Sequence, residues 1–203
     1  MHTNPDAAQM IGRNAIQRAV QRRLAKCYPS PPTSPEIVFP DKWKHLVGDL
    51  SQPEFLLIQQ TFPDENHNSQ TILVFGLMSA FQALCESESW YVDGTFTVCP
   101  NPFVQLFTIH YIYSNRSIPA LYCLLTGKSE TIYRRLFEYV RTKATEHNIQ
   151  IVSVKCMADF ERAIRNAINF LWPSWKVDGC YFHFTQALIR RVAFLGLKVL
   201  SYL

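Results

Sequence analysis

The stretch WYVDGTF, Trp90 to Phe96, sets an aspartate inside a run of aromatic and β-branched residues that continues through Thr97 and Val98. Asp before Gly commonly marks a turn, because the pair tolerates the backbone conformations that turns require. A turn at Asp93 would cut the strand signal in two, so the pattern equally supports a strand that presents a carboxylate near its end. The same question arises at Asp159 in VSVKCMADFERA, Val152 to Ala163, where a strand-like run passes into a helical one. There the alternative is an N-cap, a side chain accepting from the first backbone N–H groups of the helix.

Outward from WYVDGTF, three apolar, aromatic and β-branched runs follow one another: Trp90 to Val98, Phe103 to Tyr113 and Ile118 to Thr126. CPNP and SNRS separate them, which is turn chemistry, so the three read as an antiparallel meander. Ser129 is a suitable N-cap for a helix over Glu130 to His147, whose apolar face is Ile132, Leu136, Tyr139, Val140 and Ala144. A fourth strand is expected over Ile149 to Met157, then a helix from Phe160 to Leu171 that Trp172-Pro173 stops. Trp175 to Phe184 reads as a fifth strand, and QALIRRVAFLGLKVL, beyond Thr185, as a last helix that runs to the chain end without a C-cap signal. The order β-β-β-α-β-α-β-α over residues 89–203 predicts an α/β fold with a mixed sheet and helices on its faces. Ligand sites in such sheets gather at strand ends.

Residues 41–88 lead into this core. Glu54 to Thr61 and Thr71 to Gly76 read as a hairpin around the polar loop PDENHNS, and Leu77 to Ser87 as a short helix. Residues 1–40 form an arm: a basic amphipathic helix over Gly12 to Lys26, with Ile16, Ala19, Val20 and Leu24 on one face. YPSPPTSPEIVFP follows, whose five prolines make an extended linker.

The chain has 203 residues, 48% of them hydrophobic and 13% aromatic, enough to bury one good-sized core. Only 7 glycines and no repeats argue against a collagen-like, solenoid or disordered chain. The net charge of +4 is concentrated in the arm, where Arg13, Arg18, Arg22, Arg23 and Lys26 face the single acid Asp6 before Tyr28. Such a basic stretch suits a polyanion such as DNA, and a solvated helix face without a partner is the alternative. No apolar leader follows Met1, and the longest apolar stretch is interrupted by Lys198, so no membrane span and an intracellular chain are expected. The six scattered cysteines lack the spacing of a disulfide framework and read as reduced thiols.

If the first and fourth strands are neighbours in the sheet, Asp93 and Asp159 meet at its end. Two nearby carboxylates repel unless a cation lies between them. Mg²⁺ or Mn²⁺ suits oxygen ligands of this kind, and two such ions about 4 Å apart clamp the attacking and leaving oxygens of a phosphoryl transfer. Nucleic-acid cleavage is a natural chemistry for such a pair. In GCYFHFTQALIRR, Cys180 and His183 supply half of a tetrahedral Zn²⁺ set, with Cys156 one conceivable further ligand. Within a regular strand, residues three apart point to opposite faces, so the two converge only where the strand ends or bulges. A buried thiol beside a hydrogen-bonded histidine is the alternative.

Taken together, WYVDGTFTVCP with FVQLFTIH, then PALYCLLTGK, ADFERA and GCYFHFTQALIRR resemble the Mutator-like element (MULE) transposases, DDE-type enzymes with a ribonuclease H-like core. The likeness spans roughly Glu54 to Leu203. It implies that Asp93 and Asp159 are the first two acidic metal ligands and that Cys180 and His183 are the family's Cys-x-x-His. It implies Mg²⁺ or Mn²⁺ as cofactor, DNA as partner at both transposon ends and target, a nuclear location and action as a multimer. The family's third acid, a Glu well beyond the Cys-x-x-His, has no counterpart, because no Asp or Glu follows Asp178. Glu161, two residues from Asp159, is expected to point around its helix and away. The expectation is therefore a truncated, inactive transposase core whose apolar terminal helix, Val192 to Leu203, is exposed. A non-catalytic module that binds DNA or protein is the alternative.

Overall fold

A computed structural model describes residues 15, 17–20, 22–23, 33–34, 36–95 and 99–196. The chain forms two compact units, residues 1–33 and 34–203. In the first, Ala15, Gln17 to Val20, Arg22 and Arg23 are helical and exposed, and Arg22 Nε donates to the Arg18 carbonyl at 3.2 Å. Arg13 and Lys26 of the basic arm lie outside the described residues, as do Thr97, Val98 and the terminal stretch 197–203.

The second unit is an α/β fold built on one mixed sheet. Its strands are β1 (Leu56–Pro63), β2 (Ser69–Phe75), β3 (Ser89–Thr95), β4 (Gln105–Tyr113), β5 (Arg116–Leu125), β6 (Lys155–Ala158) and β7 (Lys176–Gly179). Their spatial order is β1-β2-β5-β4-β3-β6-β7. The first five pair antiparallel, whereas β6 lies parallel to β3 and β7 parallel to β6. The helices are α1 (Met78–Glu86), α2 (Glu130–Glu146), α3 (Arg162–Leu171) and α4 (Tyr181–Phe194). The element order expected for the core is present, and the arrangement is compatible with a ribonuclease H-like transposase core.

Local chemistry explains the elements. Ser114 and Asn115 both adopt positive φ, the requirement of the tight two-residue loop that joins β4 to β5 with matching twist. Ser129 caps α2 as its sequence predicts, its hydroxyl accepting from Ile132 N at 3.3 Å. In the β1–β2 hairpin, the Asp64 carboxylate accepts from the amides of Asn66 and Asn68, both at 2.9 Å, and so organises the polar loop. This hairpin extends the same sheet, because β2 pairs with β5.

Alternation along the strands separates two faces. On one, Trp90 and Val92 of β3, Phe107 and Ile109 of β4, and Leu121 and Cys123 of β5 are buried against α1, α2 and α3 in a single core. Trp90 is fixed there by an indole N–H bond to the Leu84 carbonyl at 2.9 Å and by edge-on packing against Trp175, centroids 5.1 Å apart. The second face is covered at its β1–β2 side by Ile37, Phe39 and Phe103, packed on Leu56 and Leu73. Ile37 and Phe39 thus anchor the end of the proline-rich stretch on the sheet.

Two elements are shorter than their sequence suggests. Ile149 to Val154 are not strand: the amides of Val152 and Val154 bond to the carbonyls of Cys85 and Glu88, upstream of β3, so the ladder begins only at Lys155. β7 spans four residues rather than running from Trp175 to Phe184, because its only partner among the described residues, β6, ends at Ala158. A strand at the sheet margin has no reason to outlast its neighbour.

Cys85, Cys123 and Cys156 are free and buried in the core, and burial pushes all three thiols upward, Cys85 and Cys156 to about 12. Alkylation at pH 8 followed by peptide mass mapping is therefore expected to leave these three unmodified in the folded protein and to label them in urea. Labelling of any of them in the native state would contradict this packing.

Candidate active site

The β3–β6 register pairs Ser89 with Lys155, Trp90 with Cys156 and Tyr91 with Met157. Carried two positions further, it aligns Asp93 with Asp159. Trp90 and Cys156 both face the core, so alternation assigns Tyr91 and Asp93 of β3 to the opposite face, whereas Asp159 lies past the end of β6 and acts on Tyr133 and Glu161. Asp93 is not in a turn: it lies within the β3–β4 ladder opposite Thr108. Nor is Asp159 an N-cap. The cap position of α3 is Glu161, and Asp159 Oδ1 accepts instead from the adjacent Phe160 amide at 2.6 Å.

The end of β7 delivers the Cys-x-x-His. Cys180 N donates to the Ala158 carbonyl at 2.9 Å, the last bond of that ladder, and α4 begins at Tyr181 rather than after Thr185. Cys180 occupies the N-cap position and His183 the first turn, so the two residues share a helix side instead of opposite strand faces. A cleft of about 230 Å³ on the second face is lined by Tyr91, Asp93, His110, Cys180, Phe182 and His183 among others. In it His183 Nε2 lies 3.6 Å from Asp93 Oδ1, an ion pair when the imidazole is protonated. His110 Nδ1 is 3.2 Å from the Ser117 hydroxyl, and burial lowers its pKa against the opposing pull of Asp93. Asp159 is not among the cleft's lining residues.

Among the described residues no group of three or more His, Cys, Asp or Glu is placed to hold a metal. Cys156 in particular is buried in the core, on the face away from Asp93 and the cleft, and is no ligand partner for Cys180 and His183.

A polar set that the sequence does not advertise lies at the core-facing side of the same sheet end. Tyr133 of α2 is buried and donates its hydroxyl to Gln105 Oε1 at 2.8 Å, and Tyr133 Oη is 3.5 Å from Glu161 Oε2. Glu161 stands at an extended cap position, φ −66° and ψ 119°, not on the helix, so it does not turn away from Asp159 as a helical residue would. Burial raises its pKa, Lys128 opposes that shift and Asp159 reinforces it. Gln105 is fully buried, and its amide explains Gly94: any Cβ there would overlap Gln105 Nε2. The one sequence signal for this set was a glutamine opening the apolar run QLFTIHYIY.

Residues 89–187 match the family model of the MULE transposase domain. The match opens at the first residue of β3 and closes inside α4, so it holds Asp93, Asp159, Cys180 and His183 together with Gln105, Tyr133 and Glu161. No curated protein matches the chain. Among the described residues no helix is long and apolar enough to cross a membrane. The arm residues Arg18, Arg22 and Arg23 are exposed and precede the MULE segment.

Because Gln105 is held by Tyr133 and cannot swing to solvent, Gly94→Ala is expected to destabilise the domain by about 1–3 kcal/mol in urea denaturation. The penalty should shrink in a Gln105→Ala background, where the obstructing amide is gone. An equal penalty in both backgrounds would place the strain elsewhere.

Proposed function

We propose that this domain contributes to a DDE-type site for DNA cleavage and strand transfer in transposition, in which Asp93 and Asp159 hold Mg²⁺ or Mn²⁺. The observation that supports the reading is the parallel β3–β6 register, whose last pair, Tyr91 with Met157, lies two residues before each carboxylate. The MULE match over the same strands supports it. The donor set fits a hard divalent ion: both groups are carboxylates, and Asp93 keeps about half of its side chain exposed for an ion that retains waters. When bound, such ions polarise the scissile phosphodiester and the oxygen that attacks it. His183 orients Asp93 from the first turn of α4, and the cleft beside Asp93 receives the nucleotide next to the cut.

With Asp93 and Asp159 but no Asp or Glu after Asp178, this chain by itself is expected to bind metal but to cut poorly. The exposed arginines Arg18, Arg22 and Arg23 support a second reading, a transposon-derived module that keeps the fold and binds DNA or protein without cutting. In both readings the arm residues Arg13, Arg18, Arg22, Arg23 and Lys26 contact phosphates, the protein acts in the nucleus, and it assembles as a multimer.

Mn²⁺ titration followed by electron paramagnetic resonance is expected to show binding that Asp93→Asn and Asp159→Asn each abolish. A native chain that binds no Mn²⁺ would defeat the metal reading. Plasmid nicking with Mg²⁺ or Mn²⁺ should stay at background, and cutting that Asp93→Ala removes would show that the chain completes its own catalytic set. DNA affinity should fall steeply with salt, and removal of residues 1–27 should flatten the dependence by about 0.9 log unit for each phosphate that the arm no longer neutralises. A salt slope unchanged by that deletion would show that the arm does not touch DNA.

A further inference from the structure

We infer that Glu161, Tyr133 and Gln105 are positioning residues, a relay of polar contacts that sets the spacing of Asp93 and Asp159. The inference rests on reading that pair as the metal-binding carboxylates. The need for such a device follows from where the ladder stops. The last β3–β6 pair is Tyr91 with Met157, so neither Asp93 nor Asp159 is held to the other by backbone bonds across that seam. Asp93 is still tied on its other side, to β4, through its pairing with Thr108. Asp159 lies past the end of β6 altogether, and the last tie there is from Cys180 N to the Ala158 carbonyl.

The relay bridges this unpaired gap from the core side. One end is Gln105, whose amide lies against Gly94, the residue after Asp93. Its Oε1 accepts from the Tyr133 hydroxyl at 2.8 Å, and Tyr133 Oη reaches Glu161 Oε2 at 3.5 Å. Glu161 is separated from Asp159 only by Phe160, whose amide is bonded to Asp159 Oδ1 and whose ring lies against Gly179 of β7. The relay therefore connects the backbone next to the first carboxylate with the turn that carries the second. Gln105 Nε2 is buried without a partner among the described residues.

The test is Mn²⁺ affinity of the full chain, by electron paramagnetic resonance, with amide hydrogen exchange at Phe160 as a second readout. Tyr133→Phe keeps the ring that packs on Phe107, centroids 5.3 Å apart, and removes only the link. It should weaken Mn²⁺ binding about tenfold, as outer-sphere partners do, and speed exchange at the Phe160 amide. Glu161→Ala, at the solvent end of the relay, should do the same, whereas Glu161→Gln, which can still meet the Tyr133 hydroxyl, should behave as the native chain. Native Mn²⁺ affinity in folded Tyr133→Phe would overturn the relay. Equal loss in Glu161→Gln and Glu161→Ala would make Glu161 a direct ligand and likewise overturn it. If the native chain binds no Mn²⁺, the metal reading fails on its own, and exchange at Phe160 still decides: acceleration in Tyr133→Phe and Glu161→Ala but not in Glu161→Gln upholds the relay, and unchanged exchange refutes it.

Discussion

The parallel contact between β3 and β6 is the constraint on which the site depends. These strands are separated in sequence by a two-stranded antiparallel excursion and by α2, and parallel neighbours can be joined only through such a crossover. α2 is long enough to return the chain along the sheet, and its apolar face, from Ile132 to Ala144, fixes it on the core. Trp90, Val92 and Cys156 are buried on that same side, so the packing that holds the two strands together also decides their register. A slip of one residue would send Asp93 into the core and Trp90 into solvent, a change that burial of the indole strongly opposes.

The same seam is short. Three residue pairs join β3 to β6, and four join β6 to β7. A sheet that narrows in this way toward one margin leaves strand ends, turns and helix starts crowded together, and function-bearing groups gather there because backbone bonds no longer claim the space. Here the crowding brings Asp93, the Asp159 turn, the start of α4 and the buried Tyr133 to one end of the β3–β6 pair. The two sides of the sheet contribute differently: the cleft side supplies His183 and His110, the core side supplies Glu161, Tyr133 and Gln105.

Much of this was legible in the residues. β-branched and aromatic runs broken by turn residues gave the meander, helical spacing with Ser129 gave α2, and the position of each aspartate at the margin of an apolar run gave its place near a strand end. What escaped the reading is what depends on partners in space. Tyr181-Phe-His-Phe184 has the composition of a strand and forms helix, because the neighbouring strand has already ended at Ala158. Ile149 to Val154 has strand composition as well, but the amides of Val152 and Val154 are taken by carbonyls that precede β3. Gly94 looked like half of a turn, whereas its lack of a side chain accommodates Gln105, a residue eleven positions downstream whose burial no local pattern reveals.

The Cys-x-x-His shows how a spacing acquires meaning from the element that carries it. In a strand the two side chains diverge, and in the first turn of a helix they share one side. The structure uses the helical geometry. Among the described residues no third ligand joins them, and the imidazole faces the Asp93 carboxylate at 3.6 Å instead. A histidine in that position favours one orientation of the carboxylate and leaves its remaining lone pairs to a ligand. The cysteine sits where the chain passes from β7 into α4, its amide closing the ladder and its carbonyl accepting the first helical bond from Phe184. The two residues thus serve as the hinge and the pointer of one turn, and the three-residue spacing is the distance from a helix cap to the first side chain that can look back at the strand beside it.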